Sequence, residues 1–153
     1  MEFDKILSIS GKSGLYELKT QTRGGVLAQS LIDGKKIQVN LRNNISILSE
    51  ISIYTYTEEV PLKELFHKIY QKTEGQKSID HKSPKKELEN YFREILPEYD
   101  EERVYQSDLK KIIQWYNILI ENDFTDFEDK EKSDEENSDK ENSDKKNLTK
   151  KNR

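Results

Sequence analysis

Residues 14–41 read GLYELKTQTRGGVLAQSLIDGKKIQVNL, and this stretch decides the fold class. Apolar and polar residues alternate along its three runs, which is typical of strands with one buried face. Arg23-Gly24-Gly25 and Asp33-Gly34 separate the runs, and glycine accepts the positive φ angles that tight hairpin turns require. The stretch therefore predicts three antiparallel strands, over Leu15–Thr22, Val26–Ile32 and Lys36–Leu41.

A fourth strand is predicted further along the chain, over Ile51–Thr57, which is rich in β-branched and aromatic residues. The intervening Ile45–Glu50 is predicted to be a short helical turn or bridge. Short antiparallel strands joined by tight turns limit their exposed edges when the sheet closes or bends. We therefore expect a small antiparallel β-barrel or bent meander, with an SH3-like barrel as the first choice.

Helical periodicity follows the strands. Pro61 suits the first position of a helix over 61–73, whose apolar stripe is expected to cover the open side of the barrel. Ser83-Pro84 opens a second helix that runs to Ile95, and Ser107 is expected to cap a third that ends at Glu121. These two helices predict a C-terminal helical hairpin, and the fold class is α+β.

The predicted organisation has four parts. A β-rich module with its covering helix occupies 1–72, a polar linker occupies 73–83, and a helical module occupies 84–127. Residues 128–153 hold nine acids, eight bases and no aromatic residue, in a repeat of serine-led pentads. Such a segment has too little apolar surface to offset the entropy of ordering, so it predicts a disordered charged tail.

Composition and motifs exclude several kinds of site. The chain has no cysteine, which excludes disulfides, thiolate metal sites and cysteine nucleophiles. Gly11-Lys12-Ser13 resembles the end of a phosphate-binding loop, but Ile6 stands where that loop needs a glycine. His67 and His81 are the only histidines, and their spacing supplies no set of metal ligands. We therefore predict no enzyme activity, no cofactor and no bound metal.

The first part of the chain is mildly basic, and this excess motivates a nucleic-acid hypothesis. Basic side chains can contact phosphates, and tyrosines can stack on bases. The expected function is a non-enzymatic binding protein that contacts RNA or a ribonucleoprotein assembly such as the ribosome through the β module. The candidate contact residues are Lys12, Lys19, Arg23, Lys35, Lys36, Arg42, Tyr54 and Tyr56.

The alternative function is a protein–protein adaptor that acts through the aromatic-rich C-terminal helices. Tyr105, Trp115 and Tyr116 are its candidate contact residues, because interfaces favour aromatic anchors. The same side chains could instead fill the core of so lean a chain. No apolar stretch approaches the roughly 18 residues that span a membrane, and Met1–Lys5 lacks the features of a secretory signal, so a cytoplasmic protein without a membrane partner is expected.

Several segments resemble a family of small Bacteroidota proteins that is known only as a domain of unknown function. The first module carries ISGKSGLY (9–16), SLIDGK (30–35), ISIYT (51–55) and EVPLK (59–63). The second carries PEYDEERVY (97–105), SDLKK (107–111) and Trp115-Tyr116. Ser13 replaces the proline expected in the first motif. The resemblance covers about residues 3–123 and implies two conserved modules, but it supplies no activity.

Overall fold

The computed structural model describes residues 1–40 and 42–128. Five strands form one antiparallel sheet, with the spatial order β4-β3-β2-β1-β5. Two further strands form a hairpin, and three α-helices follow it. The strands are β1 (Ile6–Ile9), β2 (Tyr16–Thr22), β3 (Gly25–Ser30), β4 (Lys36–Asn40), β5 (Ile45–Ile47), β6 (Ser52–Tyr54) and β7 (Glu59–Pro61). The helices are α1 (Leu62–Thr73), α2 (Lys85–Ile95) and α3 (Gln106–Glu121).

The α+β class and the antiparallel sheet are confirmed, but the closed barrel is wrong. Strands β4 and β5 are the edges of the described sheet, and each pairs with one neighbour only. The sheet is nevertheless strongly curled. A flat sheet of five strands would separate its two edge strands by about 19 Å. The connection between those strands runs only from Asn40 to Ile45 and contains a turn, in which the Asn43 N–H donates to the Asn40 carbonyl. The two edges must therefore lie closer together than in a flat sheet. The SH3-like likeness stays a prediction.

The strand assignments also change in detail. Strand β1 was not predicted, and Ile45–Ile47 forms a strand on β1 before a 3-10 turn at Leu48–Glu50. The predicted strand Ile51–Thr57 is shortened to β6 and pairs with β7 instead of joining the five-stranded sheet. Leu41, the last residue of the predicted third strand, lies outside the described residues.

The curl of the sheet gives its concave face a small core of its own. Leu7, Ile9, Tyr16, Val26, Ala28 and Val39 form a buried cluster to which only the five strands contribute. Gly25 shows how closely the strands approach, because a Cβ built on it would lie 1.8 Å from the carbonyl oxygen of Val39. Only glycine fits there without a shift of the β4 backbone.

The larger core joins the N-terminal segment to the helices. Phe3, Ile6 and Leu15 belong to the same buried cluster as the inner faces of all three helices. The Phe3 ring lies 6.1 Å from Phe66 of α1 and 6.0 Å from Phe124 beyond α3. The two predicted modules therefore share one hydrophobic core.

The helix boundaries agree with the sequence to within one or two residues, except at one cap. Tyr105, not Ser107, is the N-cap of α3. The Asp108 carboxylate accepts the Tyr105 N–H at 2.9 Å, which satisfies a donor that the start of the helix leaves free. None of the described helices is long and apolar enough to cross a membrane.

Beyond Thr73, which ends α1, the segment predicted as a linker has no helix or strand, but it is tied to α3. The buried side chain of Asn117 accepts the Ser78 N–H at 2.7 Å and donates to the Ile79 carbonyl at 3.0 Å. The Tyr116 hydroxyl donates to the Gln76 carbonyl at 3.0 Å. Of the predicted tail, only Glu128 belongs to the described part of the chain.

Candidate functional site

A groove of about 250 Å³ runs between β6 and α3. Its helical wall is one stripe of α3, because residues three, four and seven positions apart lie on the same face of a helix. The stripe consists of Asp108, Lys111, Ile112 and Trp115. The opposite wall is formed by residues 51–54, and Arg103 and Val104 close one end.

The floor of the groove is apolar and its rim is charged. Ile53, Val104, Ile112 and Trp115 are buried at its base, and 8% of Trp115 remains exposed. The Arg103 guanidinium lies 5.0 Å from the centre of the Tyr54 ring, a cation–π contact that holds both side chains at the rim. Such a combination of apolar floor and oriented polar groups is typical of binding sites.

One edge of β6 pairs with β7, and its other edge, called the outer edge below, faces the groove. Towards its C-terminal end this edge is already paired. The Asp100 N–H donates to the Tyr54 carbonyl at 2.9 Å, and the Tyr56 N–H donates to the Glu98 carbonyl at 3.0 Å. Thr55 and Tyr99 form the antiparallel bridge between these bonds. The chain then turns away, because Arg103 and Val104 both donate to the Asp100 carbonyl, so the edge beside Ser52 stays open to the groove.

The predicted basic residues are all exposed, but they lie in separate places. Lys12, Arg23 and Arg42 occupy three neighbouring turns. The turn that carries Arg42 meets the other two, through the Ser10 N–H bond to the Asn44 carbonyl at 2.9 Å and the pairing of Gly25 with Asn40. This set is called the basic loop cluster below.

The remaining predicted bases lie elsewhere on the sheet. Lys36 pairs with Gln29 at the other end of the β3–β4 hairpin, and Lys35 precedes it in the turn. Lys19 lies at a bulge in β2, where its ammonium is 3.1 Å from the carboxylate of Glu17.

The two predicted base-stacking tyrosines do not lie on the basic sheet. Tyr54 and Tyr56 belong to the β6–β7 hairpin, where they are 40% and 61% exposed. Their neighbours are residues 98–103, and the Tyr56 hydroxyl accepts the Glu101 N–H at 3.4 Å. The prediction that these tyrosines lie beside the basic strands is therefore wrong. They lie apart because β6 pairs with β7 and not with the five-stranded sheet.

The three predicted protein-binding aromatics have three different environments. Tyr116 is fully buried and stacks near Phe66 and Phe127, so it belongs to the core and not to a docking patch. Trp115 contributes its exposed edge to the groove. Tyr105 is 65% exposed at the start of α3.

A second, more polar cavity of about 350 Å³ lies between α3 and the segment before α2. Asn117, Ser78 and Gln114 line it, and its rim includes the ion pair of Lys77 with Glu121 at 2.9 Å. The polar atoms of Asn117 are occupied by the hydrogen bonds that hold this segment. His81 also lines the cavity, but no group of three metal-ligating side chains occurs among the described residues.

A hydrogen bond from the Lys35 N–H lowers the pKa of the exposed Asp33, and the hydrogen bond to the Glu101 carboxylate raises the pKa of Arg93. The other shifted pKa values belong to tyrosines packed at the core. Burial raises the pKa of Tyr91 to about 12 and also raises the pKa values of Tyr99 and Tyr116. The Tyr91 hydroxyl is buried without a hydrogen-bond partner, whereas the Tyr116 hydroxyl has Thr73 and Gln76. The shifts of these tyrosines follow from packing, and none of the three phenols lines the groove.

Sequence reasoning missed the groove and the role of Asn117. The stripe at positions 108, 111, 112 and 115 has the spacing of a helix face, but its polar first half hid it among solvent-facing residues. The pairing of residues 98–100 with β6 joins segments more than 40 residues apart, and no local pattern indicates it.

Comparison with known proteins gives a consistent result. Two protein families match, and both are domains of unknown function: DUF5606 over residues 3–48 and DUF6852 over residues 51–119. The solution NMR structure of a structural genomics target from Bacteroides vulgatus is 39% identical, with a TM-score of 0.69, and the match covers 82% of this chain and 91% of that chain. The chain belongs to this uncharacterised family. No curated protein matches it.

Membership of the family confirms the resemblance seen in the sequence and locates the surfaces. The five-stranded sheet and the basic loop cluster lie within the DUF5606 domain. The groove lies within the DUF6852 domain, which also contains β6, β7 and all but the last two residues of α3. The two family matches meet near residue 50, ahead of α1, whereas the sequence predicts a joint at 73–83.

Proposed function

We propose that this protein is a non-enzymatic adaptor that binds another protein in the groove between β6 and α3. The observation that supports this best is the apolar floor beside an open strand edge, with Trp115 as the aromatic anchor. Aromatic side chains with a small exposed edge in a concave site contribute strongly to protein interfaces. The charged rim of Arg103 and Lys111 would then orient the partner.

The test blocks the groove without touching the core. Ser52 is exposed on β6, and Ser52→Trp would fill the groove with a large side chain. Ser46→Trp is the matched control, because Ser46 is an exposed strand serine on β5, outside the groove. Wild type and both variants are used as bait in the cells that produce the protein, with and without nuclease.

The adaptor proposal expects a partner that wild type and Ser46→Trp capture, that nuclease does not release, and that Ser52→Trp loses. Equal capture by all three baits would contradict the proposal, and so would loss of every partner on nuclease treatment. Circular dichroism melting of each bait checks that Ser52→Trp remains folded.

A second candidate is RNA binding by the basic loop cluster. Lys12, Arg23 and Arg42 are exposed, and none of them forms an ion pair with a described residue. Tyr16 is the one aromatic residue of the five strands, and it is buried, so contact through phosphates is favoured over base stacking. With this second candidate we also propose that the protein is cytoplasmic and that its curled sheet is SH3-like.

Salt dependence tests the RNA candidate. Three phosphate contacts to a single strand predict that affinity falls about twentyfold between roughly 50 and 200 mM salt. Reversing the charge of Lys12, Arg23 and Arg42 together should abolish binding of a labelled single-stranded RNA. The same reversal at Lys68, Lys82 and Lys110, which are exposed on the helical side, should leave binding unchanged. Equal loss of RNA binding in both triple variants would show that binding depends on the net charge of the protein and not on the basic loop cluster.

A further inference from the structure

We propose that the groove receives an extended segment of the partner protein, which adds as a strand to the outer edge of β6 and carries an acidic side chain next to an apolar one. This mode of binding rests on the proposed function, since it specifies how the partner occupies the same groove. Strand addition requires backbone hydrogen bonds to Ser52, and the charged rim requires an acidic side chain in the partner. These two requirements are tested separately.

The hydrogen-bonding groups of Ser52 point away from β7. Ser52 pairs with Pro61, which has no N–H to offer, so this is a pair without hydrogen bonds. The Leu62 N–H bonds to the Ile51 carbonyl, which puts Ile51 in the alternate, bonded set. Alternation along a strand then directs the Ser52 N–H and carbonyl to the opposite edge, where the groove lies.

The protein already pairs a short segment of its own with this edge, in an isolated antiparallel bridge between Thr55 and Tyr99. Residues 98–100 pair with β6 through the Tyr54 carbonyl and the Tyr56 N–H, and these residues belong to the same alternating set as Ser52. The edge is therefore accessible to an extended backbone along its outer side. The turn after Asp100 ends this pairing before it reaches Ser52, which leaves room for a segment that continues along the edge. Strand addition to an edge beside a helix is a recurrent mode of peptide recognition.

The side chains of the groove specify the partner's chemistry. An added strand would alternate its side chains between the apolar floor, at Ile112 and Trp115, and the charged rim. Lys111 forms no ion pair with any described residue, while the Asp108 carboxylate is held by the Tyr105 N–H. Arg103 contacts the Tyr54 ring and has one ion-pair contact, of 3.6 Å, with Asp100. The rim thus offers positive charge that an acidic residue complements.

The charge preference is tested with random twelve-residue peptides displayed on phage and selected against the full chain. We expect enriched sequences with an acidic residue next to an aliphatic or aromatic one. The synthesised consensus should bind Lys111→Glu about tenfold more weakly than wild type. Lys110→Glu is the matched control, since Lys110 is exposed on α3 but does not line the groove, and its affinity should change less than about twofold. Equal effects of the two substitutions would overturn the charge preference.

The backbone requirement is tested at Ser52. Ser52→Pro removes the N–H that faces the groove, and proline is tolerated where a strand N–H is not used by its neighbour. We expect it to weaken the consensus peptide at least about tenfold, whereas Ser52→Ala, which keeps the N–H, should change affinity less than about twofold. A parallel series of peptides with single N-methylated bonds gives the same readout in a protein of unchanged fold. Alternate bonds should be sensitive, and uniform tolerance would overturn strand addition.

The outcomes of these experiments distinguish a failure of strand addition from a failure of the adaptor function. If the peptide is blocked by Ser52→Trp but ignores Ser52→Pro and N-methylation, the groove binds a partner and strand addition is wrong. If no peptide is enriched, or enriched peptides ignore Ser52→Trp, the adaptor function itself fails.

Two other occupants have distinct signatures. The chain has no cysteine, so Lys110→Cys gives all 153 residues a single spin-label position, beside the groove. Relaxation of resonances from residues 129–153 would identify the chain's own C-terminal segment as the occupant. Relaxation that grows with protein concentration would identify a second copy. Either result would overturn a partner protein as the ligand, and we expect neither.

Discussion

Asn117→Ala should destabilise the protein far more than a substitution beside a plain linker would. The Asn117 side chain on α3 is buried beside the polar cavity and makes three hydrogen bonds. Its oxygen accepts from the Ser78 N–H at 2.7 Å and from the Ser78 hydroxyl at 2.9 Å, and its nitrogen donates to the Ile79 carbonyl at 3.0 Å. At about 1 kcal/mol for each bond, the loss is about 3 kcal/mol.

The cavity beside Asn117 lowers this figure. Water from the 350 Å³ cavity can reach some of the groups that lose their partner, so a cost of about 2 kcal/mol is the lower end of the range. Ser78→Ala removes only the hydroxyl and should cost about 1 kcal/mol. The double variant should cost about as much as Asn117→Ala alone, because the hydroxyl bond is lost in either case, which gives a coupling energy of about 1 kcal/mol.

Urea unfolding followed by the fluorescence of Trp115, the single tryptophan, measures these free energies. Amide hydrogen exchange at Ser78 reports the segment directly, and its protection should fall in Asn117→Ala beyond the fall shared by the rest of the chain. A cost below about 0.5 kcal/mol, together with unchanged exchange at Ser78, would refute the reasoning. The segment would then behave as the plain linker that its sequence predicts.

Four further predictions concern packing, buried hydroxyl groups, titration and chain length. Gly25→Ala should cost about 3 kcal/mol in urea unfolding, since its Cβ would strike the Val39 carbonyl, whereas Gly24→Ala, with no atom near its Cβ, should cost less than about 1. Tyr91→Phe should stabilise the protein by about 1 kcal/mol at pH 7, because the buried hydroxyl has no partner, and Tyr116→Phe should destabilise it by about 1. Above the ordinary tyrosine pKa the unfolded chain loses the Tyr91 proton while the fold retains it up to about pH 12, so stability falls with rising pH in that window and falls less in Tyr91→Phe. Removal of residues 129–153 should leave the melting temperature unchanged, but removal from Phe124 onward should lower it by several degrees, because Phe124 and Phe127 are buried against Phe3 and Phe66.

The sequence predicted the parts of the sheet that local patterns control. Strands β2, β3 and β4 are long enough to show alternation, and glycine marks the turns between them. Strands β1 and β5 have four and three residues, which is too short for a period to emerge. They become strands because β1 pairs with β2 on one side and with β5 on the other. Barrel closure likewise depends on whether β4 and β5 meet, and no residue pattern within either strand encodes that.

The candidate site residues show the same limit. The sequence indicates which side chains are exposed, but it does not indicate which elements they lie beside. The bases of the first domain are exposed as expected, but the two tyrosines grouped with them lie on β6, whose partners are β7 and residues 98–100. β propensity identified Ile51–Thr57 as strand-forming without identifying its neighbour. Tyr116 and Trp115 are adjacent in sequence, yet one lies in the core and the other reaches the groove, because successive helical residues point about 100° apart.

The two candidate surfaces lie in different domains that share one core, and this has a consequence for how they act. The basic loop cluster belongs to the curled sheet, whose concave core receives no helical residue. The groove belongs to the hairpin and α3, which are joined to the first domain through Phe3, Ile6 and Leu15. Charge changes in the loops are therefore remote from the groove and should leave peptide binding unaltered, whereas loss of the Phe3 contacts should weaken both surfaces together. If both surfaces bind as proposed, one chain would hold two partners at once, because both domains are tied to the same core.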